Sequence, residues 1–594
     1  MSWEIMFVLS SILIMVCAMI FEVMRTEIIM ALTLVLFLSV GIISPEEAVK
    51  GFSNQAMITV GLLFIIAGTI KKTGIIDRII YTVLKKPSSD KATLLKILLP
   101  SSLFSAFLNN TPIVTAFAPA VKNWSEEHHQ YPSIFLLPLS YATILGGMIT
   151  LMGSSTNVIV HGMMIQEFQE GFSFFELAII GIPALVIGLA YLVVFSSRLL
   201  PKHQSLKQQI RKRSREYLGE VLVTGDYPYL DRTVKEAGLR ELQGLYLIMI
   251  VRNGENLSPV KSTTVIEEGD RLIFTGLIST IVELQGQKGL EIITDDDQQF
   301  NRHVWDDARL VEAVVSHQSS LLFKKIKENG FRGKYDAAVI AVHRKNERLK
   351  QKIGDIVLKP GDTLLLLIGS DFDFRNHEED FYIVTPIFKT NPFSSTKTIM
   401  QGWIDVGLFF LTILLISVKI VPLLSGVAML TILYFVLGKV SPDEAKQYVR
   451  FNVLFIIACS IGIGEALVQS GAAFWLAEKI VLLLQPFGIV AAMLGIYMLT
   501  NLFTEVMTNH VSAIIMFPIA MEVANTLQID PSGMAVIIAC AASSSFSTPI
   551  GYQTNLIVYG PGGYQFSDYI KFGSPLNGMV MVLTIWIVYF RWMM

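Results

Sequence analysis

The sequence has little charge for its length, and this narrows its class at once. Only 16% of the 594 residues are Asp, Glu, Lys or Arg, against about 25% in a typical soluble chain, and 52% are hydrophobic. The 47 basic and 49 acidic residues give a net charge of -2, without the basic surplus of a nucleic-acid-binding protein. The three cysteines all lie in apolar segments, which argues against a disulfide framework. The composition predicts a protein of the lipid bilayer with no nucleic-acid partner.

Long apolar windows recur in the first and last thirds of the chain. Charge-free windows near membrane-spanning length lie at 28–43, 177–197, 420–438, 480–504 and 573–590. Because about 20 apolar residues span the hydrocarbon core, the pattern predicts about ten transmembrane helices. The expected fold class is an α-helical polytopic membrane protein.

The middle of the chain is charged and has short β-branched runs between polar turns. We expect membrane half 1 at 1–200, two soluble modules at 201–290 and 291–397, and membrane half 2 at 398–594. Six basic residues with no acid among them open the insert, namely Lys202, Lys207, Arg211, Lys212, Arg213 and Arg215. The positive-inside rule then places the insert in the cytoplasm and the helices in the cell membrane.

The insert repeats itself with a constant offset, 92 residues from Arg252 to Arg344. The Glu-Gly-Asp turn at 268–270 likewise corresponds to the Pro-Gly-Asp turn at 360–362. Each copy is predicted to be a small α/β module. The expected order in the first copy is a strand at 220–224, a helix at 233–237, a hairpin of 246–251 with a strand after Lys261, and a last strand at 271–275.

The turn before the last strand of each copy resembles that of the C-terminal regulator-of-potassium-conductance module, also called TrkA-C. The resemblance implies a regulatory insert that binds a nucleotide or another small molecule. Its contacts would be Arg252, His343 and Arg344 on the hairpins. The alternative is that these residues belong to solvated charged turns.

The membrane regions also repeat. Ser-Pro-Glu-Glu-Ala at 44–48 recurs as Ser-Pro-Asp-Glu-Ala at 441–445, and Leu-Phe-Ile-Ile-Ala occurs at 63–67 and 454–458. Two such matches in order predict two related halves of about five spanning helices each. Transporters built from repeats place their site between the repeats, near the bilayer midplane.

Two pairs of polar segments with Gly or Pro interrupt the apolar halves. The first pair is 105–112 and 504–511, and the second is 153–162 and 551–560, where Gly-x-x-Thr-Asn-x-Ile-Val-x-Gly is written twice. Their surroundings from 132 to 166 and from 531 to 567 contain no Asp, Glu, Lys or Arg. Amide, hydroxyl and unwound carbonyl oxygens can coordinate sodium, and helix N-termini can hold an anion. For any single residue, a packing hydrogen bond or helix cap is the alternative.

Over both membrane regions the chain resembles the divalent anion:sodium symporter family, which includes sodium-coupled sulfate and dicarboxylate carriers. Residues 146–157, Gly-Gly-Met-Ile-Thr-Leu-Met-Gly-Ser-Ser-Thr-Asn, are similar to the family's Gly-Gly signature, and 109–111 stand at its first Ser-Asn-Thr motif. The resemblance implies re-entrant hairpins, broken helices, an elevator mechanism and a homodimer. It also implies co-transported sodium ions and no organic cofactor.

The resemblance assigns site residues in both halves. It implies one sodium ion at Ser105, Asn109, Asn110 and Gly153, and a second at Thr504, Thr508, Asn509 and Gly551. It implies substrate contacts at Asn110, Thr111, Ser154, Asn509, His510, Tyr552 and Gln553.

Two departures from the family pattern lie where the substrate would bind. His510 stands for the threonine of the second Ser-Asn-Thr motif, and Tyr552, Gln553 and Thr554 stand where many members have Thr-Pro-Pro before the second asparagine. An imidazole adds a donor that favours a compact tetrahedral dianion. The predicted substrate is therefore sulfate, with a dicarboxylate such as succinate or citrate second. A structural role for His510 is the alternative.

Other functional classes find less support. A sodium/proton antiporter needs an ionisable group, but Glu505 has no matching carboxylate in the first half, where Ala106 stands. The alternatives for Glu505 are a pair with a neighbouring side chain or an aqueous vestibule. An ion channel is disfavoured because no Thr-Val-Gly-Tyr-Gly-like filter occurs. No Walker A loop, Gly-x-Ser-x-Gly or His-Glu-x-x-His motif supports an enzyme or an ATP-driven pump.

Overall fold

The computed structural model describes residues 2–593, except residues 22, 85–88, 203–217, 240–244, 254, 258–259, 261–262, 277–287, 294–309, 317–318, 345–346, 350, 352, 369–379 and 387–398. The first half contains α1 (Trp3–Ile20), α2 (Thr26–Val40), α3 (Pro45–Val49), α4 (Gln55–Lys72), α5 (Ile75–Leu84), α6 (Asp90–Ser105), α7 (Asn110–Glu127), α8 (Ser133–Gly147), α9 (Ser155–Phe168) and α10 (Ala178–Leu199).

The insert forms two five-stranded antiparallel sheets of one topology. The first contains β1 (Leu218–Val223), β2 (Leu245–Arg252), β3 (Glu255–Leu257), β4 (Arg271–Gly276) and β5 (Leu290–Ile292), in the order β3-β2-β4-β1-β5. The second contains β6 (Leu310–Val315), β7 (Ala337–Arg344), β8 (Glu347–Arg348), β9 (Thr363–Ile368) and β10 (Phe381–Pro386), and the short helix α11 (Phe331–Tyr335) precedes β7. Its order, β10-β6-β9-β7-β8, is the first order read from the other edge, so the predicted duplication is confirmed.

Two details predicted for the first module are wrong. Residues 233–237 form turns instead of a helix, because Gly238, with φ 68, ends the segment after a single turn. The partner strand of the hairpin is β3, before Lys261, because Asn253, with φ 52, turns the chain back at once. Of the six basic residues that open the insert, all but Lys202 lie outside the described residues.

The second half repeats the helices of the first half in the same order. It contains α12 (Ile399–Ser417), α13 (Leu423–Val436), α14 (Pro442–Tyr448), α15 (Phe451–Gln469), α16 (Ala472–Leu484), α17 (Ile489–Val506), α18 (Asn509–Leu527), α19 (Pro531–Ser543), α20 (Gln553–Gly562) and α21 (Phe566–Val588). The repeated Ser-Pro motif begins α3 and α14 with the same capping box, in which Ser44 and Ser441 each exchange hydrogen bonds with the glutamate three residues on.

Seven helices within the described part of the chain are long and apolar enough to span a membrane, and five shorter apolar helices accompany them. The single span predicted over 480–504 is wrong. There, α16 ends at Leu484, and a 3-10 turn at Gln485–Phe487 followed by Gly488, with φ 84, separates it from α17. The mostly helical membrane fold with a sheet-containing insert agrees with the predicted fold class.

Each half contains a helical hairpin and a broken pair of helices. The hairpins are α6–α7 and α17–α18, and non-helical residues 148–154 and 544–552 separate α8 from α9 and α19 from α20. Ser154 and Tyr552, which precede α9 and α20, have nearly equal extended backbone angles, φ -130, ψ 135 and φ -131, ψ 134. Every residue of α8 is buried, so the break that follows it begins in the core.

The second module of the insert contacts the start of α2 and α7 in the first membrane half, and α20 in the second. Lys122 of α7 and Glu312 of β6 form a buried ion pair. The hydroxyl of Thr363 in β9 stands where a Cβ on Gly560 of α20 would lie. Arg25, before α2, donates to the carbonyl of Ser319 at 3.1 Å. The module thus bridges α2, α7 and α20.

Candidate functional site

The hairpin tip of each half meets the broken helix of the other half. Thr111, in the first turn of α7, donates its hydroxyl to Gln553 Oε1 of α20 over 3.2 Å. His510 Nε2, in the first turn of α18, lies 2.7 Å from Ser155 Oγ of α9. His510 is the repeat counterpart of Thr111, and Ser155 is that of Gln553. The two contacts are therefore one contact made twice.

Asn110 joins the same elements at the centre of the site. Its Oδ1 accepts the Ser105 hydroxyl at 2.5 Å, and its Nδ2 donates to Tyr552 Oη at 2.5 Å. The Tyr552 side chain also interacts with Ser154, at the start of α9. Asn110, Ser154 and Tyr552 are buried, as is Asn509, the counterpart of Asn110. The predicted substrate residues thus lie around the N-termini of α7, α9, α18 and α20, which pack together in pairs.

Asn157 and Asn555 close the broken segments in the same way. Each donates from Nδ2 to two backbone carbonyls, seven and ten residues earlier in the chain. These carbonyls belong to Thr150 and Gly147 (3.0 and 3.1 Å) in the first half and to Thr548 and Ser545 (3.0 and 2.9 Å) in the second. A break in a helix leaves backbone carbonyls without their helical hydrogen-bond donors. The asparagine of the repeated motif supplies these donors.

Thr150 and Thr548 tie each break to the hairpin of its own half. Each donates its hydroxyl to a carbonyl at the end of the first hairpin helix and accepts from a glycine N–H three residues on. The partners are Ala106 and Gly153 for Thr150, and Glu505 and Gly551 for Thr548. Hairpin and break therefore form one unit in each half.

Oxygen atoms converge at Gly153 and Gly551, the two glycines predicted to bind sodium. A Cβ on Gly153 would stand 2.7 Å from the Gly147 carbonyl oxygen and 2.9 Å from that of Ala106. A Cβ on Gly551 would stand 2.5 Å from the Thr504 carbonyl oxygen and would overlap the Ser545 hydroxyl. Glycine is required at both places because the backbone approaches so closely. Neutral oxygens on unwound backbone are the groups that sodium takes in broken-helix transporters.

Three further predicted sodium ligands, Thr504, Thr508 and Asn109, have different surroundings. Thr504 donates its hydroxyl to the Ala542 carbonyl at 2.8 Å. The Thr508 hydroxyl oxygen is buried with no hydrogen-bond partner among the described residues. Asn109 lines a narrow cavity together with Ser155 and apolar side chains.

Glu505 anchors the second break. It is 8% exposed, so it does not face an open vestibule. Its carboxylate accepts from the N–H groups of Phe546 (2.9 Å) and Ser547 (2.8 Å), the Ser545 hydroxyl (3.1 Å) and Asn577 Nδ2 (3.3 Å). The first half has Ala106 at the corresponding position, so this carboxylate belongs to one half alone.

Comparison with known proteins supplies the family. The chain matches the citrate transporter family, CitMHS, over residues 16–539 and again over 496–594. The chain belongs to the citrate transporter family. It is 32% identical to a Chlamydomonas reinhardtii protein named for a proposed role as a sulfur deprivation response regulator, over 92% of this chain and 94% of that one.

Two other relatives of this citrate transporter family member carry substrate names. It is 23% identical to sodium/sulfate cotransporter 1 of Chlamydomonas reinhardtii, over 93% of this chain and 85% of the relative. It is 26% identical to the sodium-dependent dicarboxylate transporter SdcS of Staphylococcus saprophyticus, over 25% of this chain and 28% of the relative. The family and these names point to a membrane transporter and not to an enzyme. They confirm the resemblance to anion carriers.

In this family member, the arginines expected to bind a regulator hold their own modules together. Each guanidinium bonds the aspartate of the turn before the last strand and a backbone carbonyl. The partners are Asp270 and Val265 for Arg252, and Asp362 and Val357 for Arg344. The hydrogen bond to Asp270 raises the pKa of Arg252. These contacts favour a structural role for the arginines, while His343 is 7% exposed in β7.

Sequence reasoning missed Ser155 and Arg450. Ser155 is the repeat counterpart of Gln553, so applying the repeat to Gln553 would have found it. Arg450 lies directly before α15 and donates Nη1 to Gln553 Oε1 at 2.8 Å. Its sequence signal is a basic residue at the edge of an apolar helix, where the repeated motif of 63–67 and 454–458 places Thr59 of α4 in the first half.

Proposed function

We propose that the protein is a secondary active symporter that imports a small dianion, sulfate foremost, together with sodium ions. The observation that carries the proposal is the reciprocal contact of hairpin tips with broken helices, at Thr111–Gln553 and His510–Ser155. A site shared by two repeats can be opened to either side of the membrane when one part moves against the other.

The anion would bind where the N-termini of α7, α9, α18 and α20 meet. Helix N-termini carry unpaired N–H groups and the positive end of the helix dipole, and both attract anions. Asn110 Nδ2 and the Thr111 hydroxyl already point across this interface, at Tyr552 and Gln553. A dianion would accept from them in place of these protein acceptors, and His510 would add a further donor.

Two sodium ions would bind beside the anion. The proposed first set is Ser105, Asn109, Asn110 and Gly153, and the second is Thr504, Thr508, Asn509 and Gly551. Moving a dianion inward against 100 mV costs about 4.6 kcal/mol, and two sodium ions regain about the same amount. Two ions would therefore cancel the electrical cost, and the sodium concentration gradient would drive net uptake.

Sulfate is preferred over a dicarboxylate on two grounds. Relatives named as sodium/sulfate cotransporters align with 93% and 91% of this chain, whereas the dicarboxylate relative aligns with 25%. The side chains of His510, Tyr552 and Gln553 would also narrow the site, which would suit a compact tetrahedral anion. Succinate or citrate is the second candidate, and the family description favours citrate.

The hairpin and break of each half would move together. The hydroxyls of Thr150 and Thr548 tie these elements to each other, which supports an elevator motion of one unit against the rest. We further propose a homodimer in the cell membrane, with the insert in the cytoplasm.

The insert would regulate transport through its second module. Lys122 and Thr363 mark contacts of this module with α7 and α20, whose first turns carry Asn110 and Gln553. A shift of α7 or α20 therefore changes the contact with the module. A nucleotide or another small ligand on the TrkA-C-like modules would act along this route.

Uptake of labelled sulfate into proteoliposomes under an inward sodium gradient tests the proposal. A potassium gradient is the control, and succinate and citrate are competitors. We expect sodium-dependent sulfate uptake that resists both carboxylates. Uptake of succinate without sulfate would change the substrate, and a proton or sodium flux that needs no anion would make the protein an antiporter.

A further inference from the structure

Arg450 is positioned at the proposed anion site from the start of α15. Its Nη1 lies 2.8 Å from Gln553 Oε1, and the same oxygen accepts the Thr111 hydroxyl at 3.2 Å. The guanidinium carbon lies over the Phe64 ring, 5.9 Å from its centre, within the range of a cation–π contact. Gln553 Oε1, at the N-terminus of α20, thus accepts hydrogen bonds from a hydroxyl of the first half and from a guanidinium of the second.

This cation breaks the two-fold symmetry of the site. The repeated Leu-Phe-Ile-Ile-Ala motif, which aligns residue 63 with residue 454, pairs Arg450 with the neutral Thr59 inside α4, whose hydroxyl donates to the Gln55 carbonyl of its own helix at 2.7 Å. Arg450 makes no side-chain cap on α15 and reaches across to α20 instead. The asymmetry therefore places a guanidinium against Gln553, whereas the imidazole of His510 contacts Ser155.

The electrostatics of this place favour an anion. Arg450 is half-buried at the start of an apolar helix, where a charged side chain is best retained if it serves a partner or a transported ion. The N-terminus of α20 beside Arg450 carries positive partial charge, so the two repel each other. An anion between them is attracted to both.

We propose that Arg450 is a substrate-binding residue that selects dianions, an inference that rests on the proposed symport of a dianion. Its guanidinium moves from Gln553 Oε1 to an oxygen of the anion, which also accepts from Asn110 and Thr111. Sulfate and carboxylates present paired oxygens to the planar fork of a guanidinium, whereas an ammonium offers a single point of charge.

The test compares Arg450→Gln, Arg450→Lys and Gln553→Ala with Arg198→Gln, which removes an exposed charge at the end of α10. The readouts in proteoliposomes are KM for sulfate, half-saturation by sodium, and inhibition by nitrate relative to selenate. Arg450→Gln is expected to raise KM for sulfate at least about tenfold and to weaken the preference for selenate over nitrate. Half-saturation by sodium is expected to stay unchanged, Arg450→Lys to be intermediate, and Arg198→Gln to match the wild type.

The outcomes separate this inference from the proposed function. A wild-type KM in Arg450→Gln overturns the inference alone. A raised KM with an unchanged selenate-to-nitrate preference, shared with Gln553→Ala, makes Arg450 a positioning residue and overturns it as well. If Arg450→Gln fails to fold, Arg450→Lys decides: a raised KM for sulfate with part of the selenate preference kept supports the inference, and a wild-type KM and preference overturn it. Absence of dianion uptake by the wild-type protein overturns both proposals.

Discussion

Asn110 and Tyr552 are 442 residues apart in the chain, and the amide of the first donates to the hydroxyl of the second at 2.5 Å. The oxygen of the same amide accepts from Ser105, a proposed sodium ligand. One side chain therefore connects the hairpin of the first half, the broken helix of the second and the first proposed sodium position. The amide oxygen of Asn110 bonds toward the proposed sodium position, and its nitrogen bonds toward the proposed anion site. A movement of Asn110 at the first position would therefore change its hydrogen bond at the second.

Asn110→Ala and Asn509→Ala are each expected to abolish coupled sulfate uptake, a fall of at least about 100-fold, because each removes an amide proposed to coordinate sodium and to bind the anion. Folding should stay largely intact, as judged by the melting temperature in detergent. Asn525→Ala, at the exposed end of α18, is the matched control and should transport normally. Near-normal uptake in either site variant would contradict the arrangement of two sodium ions.

His510→Thr is expected to shift the preference from sulfate toward dicarboxylates. The substitution makes the second hairpin tip like the first, where Thr111 stands, and removes an imidazole that lies 2.7 Å from Ser155 Oγ. Inhibition of sulfate uptake by succinate and citrate measures the shift, and we expect these anions to inhibit roughly tenfold better, equivalent to about 1.4 kcal/mol. Unchanged inhibition profiles would assign His510 a structural role.

Lys122→Met is expected to destabilise the contact between α7 and the second module. Both Lys122 and Glu312 side chains are 5% exposed, and removing one partner of a buried pair costs about 3–5 kcal/mol. The double variant Lys122→Met/Glu312→Met should recover much of the loss, which a double-mutant cycle of melting temperatures measures. Lys446→Met removes an exposed pair with Asp443 and is the control. Equal stability of Lys122→Met and the wild type would argue against this docking contact.

Asp380 is expected to stabilise the second module in a pH-dependent way. Burial raises the pKa of its carboxyl, but hydrogen bonds from Tyr335, Lys334 and Ser320 outweigh this and lower the pKa from 3.8 to about 2. A lowered pKa in the folded state means that the stabilisation is present above about pH 4 and is lost as the pH falls toward 2. Hydrogen exchange of β6 and β10 should therefore be faster in Asp380→Asn than in the wild type at pH 7. The two proteins should converge near pH 2, and a difference that does not depend on pH would refute this role.

The repeat makes the positions of the candidate site readable from sequence. Short polar segments in apolar surroundings mark the stretch with Ser105, Asn110 and Thr111, and the second copy marks their counterparts, while their binding roles stay predictions from the family resemblance. Such positions are readable because a broken helix needs polar residues and glycine at fixed spacing. The motif asparagines Asn157 and Asn555 were visible too, but their role as clamps depends on carbonyls that only the folded break brings to them.

The contact between Arg450 and Gln553 could not be predicted from the sequence. Arg450 lies about 100 residues from Gln553 and outside both uncharged stretches, so nothing in the linear pattern connects the two. Glu505 was visible beside a motif, yet its contacts with Phe546 and Ser547 depend on how the second break folds back on α17. Contacts between distant segments of this kind require the tertiary structure.

Equilibrium binding of labelled sulfate to the purified protein, with and without sodium, tests the central claim that both halves form one sodium-dependent dianion site. The wild-type protein is expected to bind sulfate in sodium and to lose most of that binding in potassium. Asn110→Ala and Asn509→Ala, one from each half, should each lose sodium-dependent binding. Sulfate binding that is indifferent to sodium, or that survives in both variants, would contradict the account.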